Sequence, residues 1–316
     1  MQNQQWRHTG GLTRREILAL LSSAACGLLP SAGAPVASAA VTAPIMTRPI
    51  PKTGERLPVV GLGTSRVFDV GTDAAQRAKL LKVLRALIAG GGKVVDTASA
   101  YASAEPVLGA LLAQSGLRPR VFIATKLEAD ELTEAGIEGS LKRLQTRQID
   151  LMQLHNVSAP NQSLAVLRQW KERGLCRYIG ITSTFHGAYP AVEAVLRQQK
   201  PDFVEIDYSL DALEAEQRIL PLCADLGVAT LIARPLVKGG LFRKVMGQPV
   251  PAWAGDFAQS WAQFFLKFVL SNPAVTAVIP GTNNPAHMAD DLGAGRGPLP
   301  NAGQRQRIIE FIHSQG

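Results

Sequence analysis

The chain has 316 residues, with 33 Lys+Arg against 25 Asp+Glu and a formal net charge of +8. At 46% hydrophobic and 18% charged residues it is too apolar for a disordered chain, and three cysteines are too few for a disulfide-built scaffold. The basic residues are scattered, without runs or interleaved aromatics, so they read as a solvated surface and not as a nucleic-acid footprint.

The first forty residues read as an address. Thr13-Arg14-Arg15-Glu16-Ile17-Leu18 places two arginines directly before an apolar stretch over 17–29. That stretch is shorter than the roughly 20 residues a membrane span takes. Ala37-Ser38-Ala39 has the small-x-small form that signal peptidase cuts. The segment resembles a twin-arginine export signal over 1–39, followed by a linker over 40–47. The resemblance implies the twin-arginine machinery as a partner, a periplasmic destination and no stable membrane insertion after cleavage. An uncleaved anchor is one alternative. Lipidation at Cys26 is another, but Ser23-Ala24-Ala25 lacks the large aliphatic residue it needs. The cleaved chain keeps Cys176 and Cys223; pairing in an oxidising compartment is one reading, and two unrelated buried thiols is the favoured one.

Residues 48–58 read as a small hairpin turning at Lys52-Thr53-Gly54-Glu55 and covering a barrel floor. Eight β-rich runs follow, at 59–63, 93–96, 120–126, 149–155, 177–183, 202–207, 228–234 and 275–280. Helical patterns lie between them. In the first, Leu80, Leu84, Leu87 and Ile88 share one face. Others cover 104–114, 131–145, 163–173, 188–198, 215–226, 258–270, 285–292 and about 302–313. Strand ends recur at the spacing of one βα unit, except between Arg234 and Pro280, where extra loop must sit. No G-x-G-x-x-G follows a strand. The expected fold is α/β: a single-domain (β/α)8 TIM barrel over 48–316 with an N-terminal hairpin.

Barrel chemistry stands at the C-terminal ends of the strands. Strand two ends on Asp96, with Tyr101 in the loop beyond. Strand three ends Thr125-Lys126 and strand four Leu154-His155-Asn156. An Asp, a Tyr, a Lys and a His thus arrive at one rim. Nothing has the His/Cys/Asp/Glu spacing of a metal site.

These residues, with Ser103 to Gly109 (SAEPVLG), Arg177 to Thr182 (RYIGIT) and Ile279-Pro280-Gly281-Thr282, resemble the aldo-keto reductase family over the whole mature chain. The resemblance implies hydride transfer from a reduced nicotinamide to a small-molecule aldehyde or ketone. It makes Tyr101 the general acid, Lys126 the ammonium beside it, Asp96 the holder of Lys126, and His155 the group that orients the carbonyl. An ammonium beside a phenol favours the phenolate, so Tyr101 is expected to titrate below the ordinary tyrosine range.

The cofactor side departs from the family pattern. Thr182 and Ser183 stand where the family has Ser-Asn on the nicotinamide carboxamide. Glu205 stands for Gln, an acceptor that cannot donate when ionised. Arg234 stands where many members place an aromatic that stacks on the nicotinamide; its flat guanidinium is expected to stack instead, with a pyrophosphate contact as the alternative. After strand eight, Gly281, Thr282 and His287 replace the Lys, Ser and Arg that grip the 2′-phosphate of NADPH. Asp290 and Asp291 replace the Glu-Asn pair at the adenine. Two lost cations weaken the 2′-phosphate preference, so the implied cofactor is NADPH or NADH. Trp253, Phe242 and Phe68 read equally as pocket lining and as packing.

Two other readings compete. One is a nicotinamide-nucleotide-binding barrel acting as a sensor or interaction subunit. The other is a barrel isomerase or carbohydrate binder. The four intact rim residues favour the reductase.

Overall fold

The computed structural model describes residues 43–315, so the export-signal reading lies outside the described residues. A two-stranded antiparallel ribbon, β1 (Thr47–Pro49) and β2 (Arg56–Pro58), comes first. Eight parallel strands follow: β3 (Leu62–Gly63), β4 (Val94–Asp96), β5 (Phe122–Leu127), β6 (Ile149–Leu154), β7 (Cys176–Ser183), β8 (Phe203–Asp207), β9 (Ala229–Ala233) and β10 (Ala277–Val278). They pair in chain order, and parallel bridges Val60–Val278 and Gly63–Gly281 close the last strand onto the first. This is the expected TIM barrel.

The crossover helices are α1 (Ala74–Ala89), α2 (Ala104–Ser115), α3 (Glu134–Arg143), α4 (Ala165–Glu172), α5 (Tyr189–Gln199), the pair α6 (Glu214–Gln217) and α7 (Ile219–Leu226), and α9 (Trp261–Leu270). A short α8 (Gly240–Lys244) fills the expected long connection before α9. The chain ends with α10 (Pro285–Gly293) and α11 (Ala302–His313). The run expected as one helix over 215–226 is broken at Arg218, where φ is −132°. Pro221 explains the break: its ring would meet the carbonyl of residue 217 in a continuous helix, but it is tolerated in the first turn of α7. Strand 120–126 starts late because Arg118–Arg120, with Pro119 inside, forms a 3₁₀ turn.

Period-two alternation sorts each strand into two faces. Outward residues pack under the helices in one large core. Inward residues Val94, Phe122, Ala124, Leu151, Tyr178, Phe203, Leu231 and Ile279 fill the barrel, joined from below by Ile50 and Leu57 of the ribbon. Phe122, Tyr178 and Phe203 meet at centroid distances of 5.6–6.0 Å. Such pairs contribute about 0.5–1.5 kcal/mol each beyond their burial. The ribbon is held by Glu55, which accepts from Tyr178 Oη at 2.7 Å and pairs with Arg177. Residues 45–47, read as linker, are tied in as well: Met46 N donates to Gly295 O at 2.7 Å, and Thr47 opens β1. Cys176 and Cys223 are both buried and free, as read. Among the described residues no helix is long and apolar enough to cross a membrane.

Candidate active site

The alternation that builds the barrel also builds the site. On β4, Asp96 lies one inward step above Val94. On β5, Lys126 lies above Ala124 and Phe122. On β6, Gln153 and then His155 lie above Leu151. On β8, Glu205 lies above Phe203. A polar layer thus rests on an apolar plug.

Lys126 is its centre and is 1% exposed. Its Nζ donates to Asp96 Oδ1 at 2.5 Å and Thr97 O at 2.9 Å, and lies 2.9 Å from Glu205 Oε2. An ammonium has three N–H groups; two donate to Asp96 and Thr97, and Glu205 faces the same nitrogen as an ion-pair partner. Burial works against the charged ammonium, but Asp96 and Glu205 overrule it and hold its pKa above the ordinary lysine value. Burial and then the nearby Glu205 carboxylate push Asp96 up, and the Lys126 charge only partly offsets them.

Tyr101, half-buried in the loop after β4, has its ring centroid 5.6 Å from Lys126 Nζ. His155 meets it edge-on, with ring centroids 6.1 Å apart. The four residues expected at one rim are therefore together. The expected depression of Tyr101 does not occur: its hydroxyl is pushed up to about 12. Burial is the largest cause. Asp96 and Glu205 act in the same direction against Lys126 and Arg234. Burial, and the Lys126 charge after it, lower His155, so its imidazole is neutral near pH 7.

Sequence reading missed two members. Glu128 Oε1 lies 2.7 Å from His155 Nδ1, off the line of a good hydrogen bond, and accepts from Asn156 Nδ2 at 3.0 Å. Gln153 donates from Nε2 to Glu205 Oε2 at 2.9 Å. Both were readable as period-two neighbours, Glu128 two beyond Lys126 and Gln153 two before His155. Gln153 reaches Glu205 across the intervening strand because residue 180 has no side chain. A Cβ there would stand 3.1 Å from Gln153 Cγ and Oε1. Glu205, expected only at the cofactor, is thus turned into the lysine cluster.

The other expected cofactor residues spread around the rim. Thr182 and Ser183 are buried at the end of β7, where Thr182 Oγ1 accepts from Asn156 N at 3.2 Å. Arg234 is exposed, 3.5 Å from Thr184 O. With Asp207, Ser209 and Lys238 it lines a cavity of about 220 Å³. Gly281 and His287 are exposed, whereas Thr282 is buried and its hydroxyl accepts from Asn284 N, bracing the start of α10. Asp291 is also buried, and its neighbour Asp290 accepts from Gln263 Nε2. Trp253, Phe242 and Phe68 are packing residues. Trp253 lies against Phe264 and Phe311, Phe242 meets Phe265 edge-on at 5.4 Å, and Phe68 is fully buried.

Two signs mark the mouth as built for a polar ligand. Thr64 Oγ1 and Asp207 Oδ1 are buried there without a partner among the described residues. Six of the eight left-handed non-glycine residues, Arg66, Ala102, Asn156, Arg234, Val237 and Lys238, lie on loops leaving the tops of strands; the other two, Gln145 and Lys200, end helices. For β-branched Val237 that conformation is strained, and such strain gathers at functional sites. These groups fit the polar edge of a nicotinamide nucleotide.

A TIM barrel with a phenol, an imidazole and a buried carboxylate–ammonium cluster at its C-terminal mouth is an oxidoreductase scaffold for carbonyl chemistry. The chain belongs to the aldo/keto reductase family, whose sequence profile matches residues 59–305. It is 30% identical over 234 residues to methylglyoxal reductase YeaE of Escherichia coli (strain K12), covering 70% of this chain and 80% of that one. An aldo/keto reductase of Klebsiella pneumoniae, solved with NADP and acetate, shares the fold at TM-score 0.67 and 23% identity, covering 86% of this chain and 95% of that one. The holo form of an aldo-keto reductase from Bacillus halodurans matches at TM-score 0.69 and 21% identity, covering 85% and 96%.

Proposed function

We propose that this protein reduces an aldehyde or ketone to the alcohol using NADPH or NADH, and that it does so after export by the twin-arginine route to the periplasm. The observation that carries the chemistry is Tyr101 held between His155 and the buried Asp96–Lys126 pair. When bound, the reduced nicotinamide supplies the hydride to the carbonyl carbon. As charge grows on the carbonyl oxygen, Tyr101 delivers its hydroxyl proton there. His155 orients the same oxygen, and Lys126 steadies the tyrosinate left behind. Thr182, Ser183, Thr64 and Asp207 supply polar groups for the nicotinamide end. Thr282 and the start of α10, with Gly281 and His287, receive the adenosine side without a fixed cation, which supports use of either nucleotide. The export reading is supported by Arg14-Arg15 and the Ala37-Ser38-Ala39 site.

Tyr101→Phe tests the proposal. Oxidation of NADPH and NADH is followed over an aldehyde panel that includes methylglyoxal, the substrate named for the Escherichia coli relative. Loss of general-acid catalysis lowers kcat about 10²–10⁴-fold with nucleotide binding intact. Equal turnover by both proteins refutes the assignment.

A further inference from the structure

Tyr101 stands on a loop, whereas Lys126, whose ammonium lies 5.6 Å from its ring centroid, stands on β5. A loop residue keeps such a distance only if something ties its segment to that strand. Tyr101 O accepts from Ala104 N at 2.9 Å, and Ala102 turns the chain between them at φ 47°. Tyr101 therefore moves with the first turn of α2. The segment Ser103 to Gly109 mounts that turn at three points. Ser103 Oγ donates to Asp69 Oδ1 at 2.7 Å, on the loop after β3. Glu105, 1% exposed, accepts from Thr125 Oγ1 of β5 at 2.6 Å, and from Ser140 Oγ and Arg143 Nε of α3 at 3.3 and 2.6 Å. Gly109 lets α2 close on the end of α3, where a Cβ would stand 2.3 Å from Arg143 O. An apolar residue at 105 would pack α2 against the barrel without the cost of burying a carboxylate. What the carboxylate adds is direction, because hydrogen bonds fix a helix along a strand and apolar contacts let it slide.

We propose that Glu105 is a positioning residue that sets Tyr101 against Lys126 by bolting the start of α2 to Thr125. Thr125 and Lys126 are neighbours on β5, one turned out under the helix and the other into the barrel. The bolt thus joins the turn that carries the phenol to the residue next to the ammonium. The two strong ties of Glu105 divide the work. The Thr125 hydrogen bond places the turn on β5, and the Arg143 pair holds α3 and serves stability. A general acid acts only within hydrogen-bond reach of the oxygen it protonates. The catalytic consequence rests on the carbonyl-reductase reading, whereas the tie between Glu105 and the Tyr101 segment does not.

The test compares Glu105→Ala, Thr125→Val and Arg143→Met with wild type. Three quantities are read: the single-turnover rate of NADPH oxidation by methylglyoxal, the thermal midpoint, and backbone amide exchange over residues 99–105 by mass spectrometry. Glu105→Ala lowers the single-turnover rate about 10–100-fold, the loss expected when a reacting group slips by a fraction of an ångström to an ångström. Thr125→Val lowers it by a smaller factor. In both, KM for the carbonyl and Kd for the nucleotide stay unchanged, and residues 99–105 exchange faster. Arg143→Met lowers the thermal midpoint but leaves the rate and the exchange of that segment as in wild type. A rate that follows the thermal midpoint across all three variants overturns the proposal. So does Thr125→Val at the wild-type rate and exchange; being nearly isosteric, it also decides the matter if Glu105→Ala does not fold. A wild type that reduces no carbonyl overturns the reductase reading, and exchange over residues 99–105 then decides whether Glu105 holds the Tyr101 segment.

Discussion

Asp291→Asn gives a prediction whose size follows from burial. Asp291 sits on α10, 3% exposed, beside Asp290. Burial, and the like charge of Asp290 after it, push its carboxyl up to about 7 from 3.8. The folded protein therefore holds this proton more tightly than the unfolded chain. The resulting stability is fully present below about pH 4 and is lost as pH rises through about 7. The slope approaches 1.36 kcal/mol per pH unit, so the whole interval is worth at most roughly 4 kcal/mol. Asn cannot ionise and nearly matches the carboxylic acid in shape. Urea unfolding of the two proteins from about pH 4 to about pH 8 should show the variant gaining on wild type with rising pH, by about 2–4 kcal/mol in total. Other carboxylates titrate in both proteins and cancel in the difference. Asp290→Asn should remove only a minor part of the slope, because burial is the larger cause. A difference that stays constant or falls across the range refutes the account of this carboxyl.

Two more outcomes follow from the site. Asp96→Asn and Glu205→Gln each leave Lys126 one carboxylate, while the double variant strands an ammonium that is 1% exposed. The double variant should therefore lose about 3–5 kcal/mol in urea unfolding, well beyond the sum of the single effects, and additivity would contradict the shared-lysine geometry. Gly281→Lys with His287→Arg restores two cations at the start of α10. Each charge-assisted contact is worth about 1.5–3 kcal/mol, so kcat/KM for NADPH over NADH should rise at least about tenfold; an unchanged ratio would show that the 2′-phosphate does not sit there.

Much of the fold was legible because local chemistry and tertiary structure agree. All eight strands appear where β-rich runs predict them, and α11 spans 302–313 as read. Boundaries slipped where proline intervened, at Pro119 before β5 and Pro221 inside the expected single helix. The four rim residues were legible because Asp96, Lys126 and His155 sit at the ends of strands of known phase and Tyr101 in the loop that follows one of them. What remained hidden were distances across the barrel. Nothing along the chain says that Glu205 turns to Lys126, because that depends on the bare Cα of Gly180 one strand away. The sign of the Tyr101 shift was missed for the same reason: one ammonium was counted, but the second carboxylate and the burial of the phenol were not.

The apolar plug under the polar layer has an electrical side. Phe122, Tyr178, Phe203, Ile50 and Leu57 are 0–5% exposed and stand as an apolar layer between the polar cluster and the floor. Tyr101 and His155 stand on the mouth side of Asp96, Lys126 and Glu205, the side on which the apolar layer is missing. The barrel is insulated at one end and wired at the other, so whatever covers the mouth also sets when the cluster can recharge.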